Sequence, residues 1–314
     1  MHSVHKASNP SICAPSFPAT KGQKVYRITY ARYAKQGAQV IYNVRLYRAG
    51  HCENVVFPSP SVDSRLYGGA LALMQDDLDL DGTTKPSHLQ VLQEPDAETN
   101  LFLTVPQGWG CDPILINTAA QLVELMEPPY RHLFNAIFWD SIRFRKYCMS
   151  PSSMKHHHAY PSGNLSHSID IARLMLSTNV LQSDPGFRIL LALLHDAGKA
   201  IEYQVDPLGK LVMSEQGKLL GHKITIIQWV TEAIARFGIE DLSDTHVRAI
   251  LHCLNSAPNA EWLGIRSPCM SEALFLSAID RFSGQNDLLE QFEPIKAGWG
   301  KFCKHLNTTP FKLG

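Results

Sequence analysis

An adjacent histidine and aspartate, His195 and Asp196, close an apolar run of the chain, and this pair restricts the possible folds more than any other feature. The preceding residues, ILLALL (189–194), have the composition of a buried helix. A buried carboxylate at the end of such a helix costs roughly several kcal/mol unless a charged partner or a metal ion compensates it. We therefore expect other parts of the chain to bring such groups to Asp196.

Further histidine and aspartate residues lie beside apolar stripes at nearly even spacing along the chain. They are His167, His222, His252 and Asp280. A single buried histidine is more often a hydrogen-bonded core residue than a ligand, and the His-Asp pair alone could be an ordinary helix end. The whole set instead indicates a mixed nitrogen and oxygen site suited to a divalent transition-metal ion. Mn²⁺ is the first choice, and Fe, Ni, Mg or Zn are also chemically possible.

The composition favours a cytoplasmic protein that contacts no membrane. The 314 residues are 45% hydrophobic, which is enough for a sizeable core, and 29 basic residues balance 29 acidic ones. The overall charge of the chain therefore gives no indication of a nucleic-acid partner. Seven cysteines without a CxxC pair argue against a disulfide framework. No apolar run approaches the roughly 20 residues that span a bilayer. The oligomeric state is left open.

The N-terminal third is strand-like after a polar tail at 1–23, which we expect to be disordered. Between 24 and 95, short segments alternate in hydrophobicity, as in Val40–Tyr42–Val44–Leu46, and predict about five strands. They indicate a small β-barrel, for which the oligonucleotide-binding (OB) fold is a candidate. Basic and aromatic residues are mixed there: Arg27, Arg32, Lys35, Arg45, Arg48, Tyr26, Tyr30, Tyr33, Tyr42 and Tyr47. This mixture suits base stacking and phosphate contacts, or equally the solvated faces of ordinary strands.

The remainder of the chain changes to a helical period, so the predicted fold class is mainly α. Residues 96–115 are rich in proline and glycine and predict a linker. A capping box at Thr118 predicts a helix that Pro128 and Pro129 end. Further helices are predicted at about 130–147, 167–181, 187–199, 222–237, 244–254 and 271–282. We expect one all-helical domain over 116–290 and an extension at 291–314.

Short motifs surround the candidate ligands: HHHAY (156–160), GNLSH ending at His167, LLHDAGK (193–199), EQGKLLGH ending at His222, and EALFLSAID ending at Asp280. Together they resemble the HD superfamily of metal-dependent phosphohydrolases, and within it the YhaM-type 3′–5′ exoribonucleases. The resemblance covers about 116–287. That family is similar in domain order as well, with an oligonucleotide-binding barrel before the helical HD domain.

The resemblance implies a ligand set. His167, His195, Asp196 and Asp280 would hold one metal ion, and Asp196 would bridge to a second ion held by His222 and His252. Cys253 stands where related two-metal members carry a second histidine. Cys253 is then a further ligand as a thiolate, or the second ion is weak or absent.

The same resemblance implies catalytic and substrate-binding roles. The metal at Asp196 would activate a water for attack on phosphorus. Lys199, one helical turn beyond His195, could clamp a phosphate or protonate the leaving oxygen, or it could be an ordinary solvated lysine. Candidate substrate contacts are His156, His157, His158, Tyr160, Lys155, Lys218 and Lys223.

These features lead us to expect a metal-dependent phosphodiesterase that acts as a 3′–5′ exonuclease on single-stranded RNA, or also DNA. One alternative is an HD phosphohydrolase of nucleotides or cyclic dinucleotides. Another is an HD-type conjugative relaxase-like protein, since those proteins show a similar HHHA loop before their HD motif. The third is a nucleic-acid-binding module without catalysis.

Overall fold

A computed structural model describes residues 23–78, 84–154, 159–239 and 241–314, and in it a β-sheet precedes a helical body. The tail expected at 1–23 lies, apart from its last residue, outside the described ranges. Four members of the expected substrate-facing loop also lie outside them: Lys155, His156, His157 and His158.

The N-terminal sheet is antiparallel, with the strand order β3-β2-β1-β4-β5. Its strands are β1 (Val25–Gln36), β2 (Gln39–Arg48), β3 (His51–Ser59), β4 (Leu71–Leu78) and β5 (Thr84–Leu92). Within the described strands no backbone pairing joins the edges β3 and β5, so the sheet is open and the predicted closed barrel is wrong. Alternation within a strand does not determine whether two distant edge strands meet, because closure depends on tilt and register around the whole sheet.

One face of the sheet has a small core of its own. The alternating residues of β2, Val40, Tyr42, Val44 and Leu46, are all buried, which confirms the half-buried strand predicted there. The ring of Tyr42 stacks on Phe57 of β3, with centroids 5.4 Å apart. Cross-strand aromatic pairs of this kind hold neighbouring strands in register.

The segment at 96–115, where we predict a linker, is packed into the helical body. It contains two 3-10 turns, Leu101–Thr104 and Gln107–Trp109. Leu101 and Phe102 are completely buried in the main core. Asn135 fixes the start of the segment, since its amide donates to the carbonyls of Asp96 and Thr99, each at 2.7 Å. The sheet is therefore connected to the helices by a fixed segment.

The helical body follows the predicted period. Its helices are α1 (Pro113–Glu124), α2 (Pro128–Phe138), α3 (Ser141–Met149), α4 (Gly163–Ser177), α5 (Pro185–Leu194), α6 (Lys199–Glu202), α7 (Glu215–Leu219), α8 (Gly221–Phe237), α9 (Asp244–Asn255) and α10 (Ser271–Phe292). Two small hairpins accompany them: β6 (Tyr203–Val205) with β7 (Leu211–Met213), and β8 (Gly298–Trp299) with β9 (Phe311–Lys312). In the part of the chain that is described, no helix combines the length and apolar character needed to cross a bilayer.

Helix boundaries differ from the prediction because other side chains serve as caps. Asp112 accepts the amide of Ile114 and starts α1, so the capping box predicted at Thr118 is wrong; the Thr118 hydroxyl donates to Ile114 within the helix. The helix predicted over 130–147 is two helices, because Asp140 accepts the amide of Arg143 and starts α3. Both helix starts were misplaced in the prediction because an N-cap aspartate lies outside the helical period and looks like a loop residue in the sequence.

A buried arginine joins the sheet to the helical body. Arg27 of β1 is 1% exposed, and its guanidinium donates to the hydroxyl of Thr104 and to the carbonyl of Gly69, both at 2.9 Å. The guanidinium carbon also lies 5.1 Å from the centroid of Trp109 and 5.7 Å from that of Phe144. Burial lowers the pKa of Arg27 to about 10. Carbonyls and aromatic faces stabilise this cation, since no acidic side chain of the described residues pairs with it.

Replacing Arg27 with alanine should lower the free energy of unfolding by about 2–4 kcal/mol, because it removes buried volume and leaves buried acceptors without a donor. The matched control is Arg32→Ala on the same strand, an exposed position where we expect a change below about 0.5 kcal/mol. Denaturant unfolding followed by circular dichroism measures both variants. Equal stabilities would contradict the anchoring role of Arg27.

Candidate metal centre

Three helices bring four ligand-type side chains to one point. His167 lies in α4, His195 and Asp196 follow the end of α5, and Asp280 lies in α10. One ligand atom from each residue lies within 4.8 Å of all the others. The Nε2 atom of His167 is 3.2 Å from Nε2 of His195 and 3.1 Å from Oδ1 of Asp280. Both histidines and Asp196 are buried, whereas Asp280 keeps one side towards solvent.

Hydrogen bonds on the far side of each ring determine which nitrogen faces the cluster. Nδ1 of His195 lies 2.7 Å from the carbonyl oxygen of Ala192, which can only accept, so this nitrogen carries the hydrogen. Nδ1 of His167 lies 3.3 Å from the hydroxyl of Ser283. In the neutral His195 ring, Nε2 therefore presents a lone pair towards Nε2 of His167. Two facing nitrogens share at most one hydrogen, and a cation between them satisfies both.

The separations between these ligand atoms fit one metal ion. The distances from the histidine Nε2 atoms to the carboxylate oxygens are 3.1, 3.5, 3.6 and 3.8 Å. Ligands held about 2.0–2.2 Å from one tetrahedral ion stand roughly 3.3–3.6 Å apart. Two imidazoles with two carboxylates also form a donor set suited to a divalent transition ion. The four residues could therefore hold a metal ion.

Both carboxyl groups of the cluster are held in the ionised form. Burial alone would raise the pKa of Asp196, but the charge of the His195 ring in its protonated form, together with that of Lys199, outweighs burial and holds that pKa well below the usual range. For Asp280, hydrogen bonds from His167 and His195 outweigh burial and lower the pKa in the same way. Two adjacent anions in a buried setting attract a cation.

Lys199 is directed into the cluster and is not a solvated surface lysine. Its Nζ atom lies 2.6 Å from Oδ2 of Asp196 and 3.5 Å from the hydroxyl of Ser152. Burial would lower the pKa of Lys199, but the Asp196 carboxylate outweighs it and raises the pKa. The lysine is therefore a fixed positive charge at the edge of the cluster.

His222 approaches the other oxygen of the same carboxylate. Its Nε2 atom lies 3.5 Å from Oδ1 of Asp196, and its Nδ1 atom lies 2.8 Å from Glu202. A hydrogen on Nδ1 directed at Glu202 leaves the Nε2 lone pair facing Asp196. The two oxygens of Asp196 thus face different histidine groups, as in a carboxylate that bridges two positions. Glu202 was not identified from the sequence as part of the site. Its place one helical turn beyond Lys199, after two apolar residues, could have indicated it.

The glycine of the HDAGK motif, Gly198, allows α8 to approach this closely. A Cβ atom at that position would clash with the carbonyl oxygen of His222, which is backbone and cannot rotate away. Only glycine fits between the end of α5 and the first turn of α8 without moving one of them.

His252 and Cys253 have no described contact with this cluster. Nε2 of His252 accepts the backbone N–H of Cys269 at 3.0 Å. Burial, together with the nearby Glu272, raises the pKa of the Cys253 thiol to about 12, so the thiolate form is disfavoured at neutral pH. A metal-ligand role for either residue remains a prediction.

The described candidates for substrate contact lie further out. Tyr160 is partly exposed, and its hydroxyl donates to Ser166 at 3.4 Å. Lys218, at the end of α7, and Lys223, in the first turn of α8, are exposed. These placements leave all three accessible to a ligand.

A cleft of about 1300 Å³ opens between the sheet and the helical body. Its basic lining residues are Arg27, Arg45, Arg145 and Lys146, and no acidic side chain is among its described lining residues. Aromatic side chains also line it: Tyr47, Trp109, Tyr160 and Tyr203. Ser150 and Pro151, which precede Ser152, and Ala200, which follows Lys199, form part of its wall. The cleft therefore lies close to Lys199 at the edge of the cluster, although none of the four cluster residues is among its described lining residues.

Comparison with known proteins gives one group of relatives. The curated proteins named 3′-5′ exoribonuclease YhaM from Listeria welshimeri, Listeria monocytogenes and Listeria innocua are each 27% identical to this chain over 143 residues. The aligned part is 45% of this chain and 44% of each relative, so the chain matches less than half the length of these proteins. No family model and no solved structure matches the chain. The predicted resemblance to YhaM-type proteins is confirmed.

Replacing Asp196 with asparagine should remove the bound metal while leaving the fold intact, because a neutral amide cannot balance a divalent charge. The loss of affinity should exceed the ~10–100-fold typical of changes to residues that only support a ligand. Asp170→Asn is the matched control, since Asp170 lies on α4, is half exposed and pairs with Arg173 on the same helix. Metal per chain, measured by elemental analysis after dialysis beside circular dichroism, decides the outcome. An Asp196→Asn protein that retains its metal would exclude this site.

Proposed function

We propose that the protein is a metal-dependent phosphodiesterase that removes nucleotides from the 3′ end of single-stranded RNA. The observation that supports this most directly is the arrangement around Asp196. One carboxylate oxygen faces His167, His195 and Lys199, and the other faces His222. The likeness to proteins named 3′-5′ exoribonuclease YhaM supports the same activity. In this proposal the helical body is an HD domain and the open sheet is an OB-like nucleic-acid-binding unit.

Each residue of the centre has a separate task in this reaction. His167, His195, Asp196 and Asp280 would hold the first ion, with Mn²⁺ as the first choice. The chemistry that a bound divalent ion supplies here is activation of water and neutralisation of phosphoryl charge. The positive charge of Lys199 stands beside this point, where it can bind a phosphoryl oxygen or donate a proton to the leaving oxygen.

A second ion at His222 belongs to the same proposal, and it would be held more weakly. Glu202 orients His222 by accepting its Nδ1 hydrogen, which supports a ligand role for Nε2. The Nε2 atom of His252 already accepts a hydrogen bond from the backbone N–H of Cys269, and the raised pKa of Cys253 disfavours a thiolate. This position therefore has fewer prepared ligands than the first.

The cleft beside the centre supports a polyanionic strand as the substrate. Three exposed basic side chains, Arg45, Arg145 and Lys146, line it, and no acidic side chain of the described lining opposes them. The aromatic rings provide faces on which bases can stack. A smaller, closed pocket would suit a nucleotide or cyclic dinucleotide better than an open cleft of about 1300 Å³. The relaxase-like and non-catalytic alternatives predict, respectively, DNA cleavage at internal positions and no turnover.

Hydrolysis from the 3′ end is tested with single-stranded RNA labelled at either end, in the presence of Mn²⁺. We expect the 3′ label to be released at once as a mononucleotide and the 5′-labelled strand to shorten in steps. Asp196→Asn and a circular RNA are the controls, and neither should give product. Cleavage of the circle, or hydrolysis of cyclic dinucleotides alone, would contradict the proposal.

Binding in the cleft is tested by Arg145→Ala and Lys146→Ala, two exposed positions on α3. Each variant should bind single-stranded RNA more weakly and reduce the slope of log affinity against log salt by about 0.7, the value for one phosphate contact to a single strand. Hydrolysis of a small generic phosphodiester should not change. The control Arg173→Ala removes an exposed arginine that is not among the residues lining the cleft. If the slope of log affinity against log salt is unchanged in both variants, the strand binds outside this cleft.

A further inference from the structure

The last part of the chain forms a small unit fixed to the end of α10, which we call the C-terminal module (residues 293–314). Its strands β8 and β9 pair Trp299 with Phe311. The backbone N–H of Lys301 donates to the carbonyl of Phe292 at 2.8 Å, and a Cβ atom at Gly300 would clash with that same carbonyl. The module is thus attached by main-chain contact to the helix that carries Asp280.

The module exposes large apolar side chains that no described part of the chain covers. Trp299 is 71% exposed, and Phe302 and Phe311 are each more than half exposed. The rings of Trp299 and Phe311 lie edge to face, with centroids 5.1 Å apart. Adjacent exposed apolar side chains are found at binding surfaces more often than elsewhere on a protein.

Basic residues outnumber acidic ones in the module. The module contains Lys296, Lys301, Lys304 and Lys312, all exposed, and a single acidic residue, Glu293. The whole chain by contrast has equal numbers of basic and acidic residues. Lysine is depleted in protein–protein interfaces. Lysines beside exposed aromatic rings are instead the combination by which proteins bind single-stranded nucleic acids without sequence preference.

We propose that the C-terminal module is a second binding site for the single-stranded substrate, in which Trp299 and Phe311 stack on bases and the lysines contact phosphates. This inference rests on the proposed function. Asp280 and Phe292 lie twelve residues apart on α10, which is ~18 Å along the helix. A strand long enough to contact both places gains affinity because its second contact is intramolecular. The module therefore favours long strands over short ones.

The test compares Trp299→Ala with Trp262→Ala in the full chain. Trp262 is 82% exposed but lies outside the module, in the turn before α10, so it controls for the loss of an exposed tryptophan. We measure affinity for single-stranded RNA of about 16 and about 4 nucleotides, lengths that span the site sizes of known single-strand binders. Trp299→Ala should weaken binding of the long strand roughly 5- to 100-fold, the range for loss of one stacking ring. Binding of the short strand and Trp262→Ala should be unaffected.

A second variant tests the same surface without removing an aromatic residue, in case Trp299→Ala misfolds the module. Lys301→Gln with Lys304→Gln keeps the aromatic residues and should reduce the salt dependence of long-strand binding. If Trp299→Ala binds the long strand as the native chain does, the module inference is overturned while the proposed function stands. If Trp299→Ala instead changes the mass measured by light scattering and leaves affinity unchanged, the surface is a protein contact and the inference is also overturned. Loss of long-strand affinity in a protein that hydrolyses no RNA would uphold the module and refute the proposed function.

Discussion

The ionised carboxylate of Asp196 is the constraint around which the helical body is arranged. Its charge is buried, and the groups that compensate it come from α4, α6 and α8. The backbone around it is held as well: the amide of Asn164 donates to its carbonyl at 3.1 Å, and the hydroxyl of Tyr147 donates to the carbonyl of Leu193 at 2.9 Å. Because this one side chain contacts groups on several helices, the position of Asp196 and the packing of those helices cannot vary independently.

Local patterns predicted much of this structure. The alternation in β2 predicted which side chains are buried, since period and face are linked within a single strand. The pairing of His195 with Asp196 predicted that His167, His222, His252 and Asp280 would be brought near, because a buried carboxylate needs a charged partner or a metal ion. His167, His222 and Asp280 do lie near Asp196, whereas His252 has no described contact with it. Family motifs strengthened that prediction but were not its only basis.

Other features could not be predicted because they depend on residues far apart in the sequence. In the sequence Arg27 is one of several basic strand residues, and what distinguishes it is its burial together with its contacts to distant residues such as Thr104 and Trp109. Whether β3 and β5 meet depends on the whole sheet. His252 is spaced like a ligand, yet its ring is bonded to Cys269, a residue on a loop whose path no local pattern specifies.

The close approach of Gly198 to His222 has a consequence for the proposed second ion. Because a Cβ atom at position 198 would clash with the main chain of His222, the end of α5 and the first turn of α8 are held at one backbone distance. Any adjustment to the radius of a bound ion would therefore have to come from the side chains of Asp196 and His222, and the identity of the donor atoms would govern which elements bind most tightly.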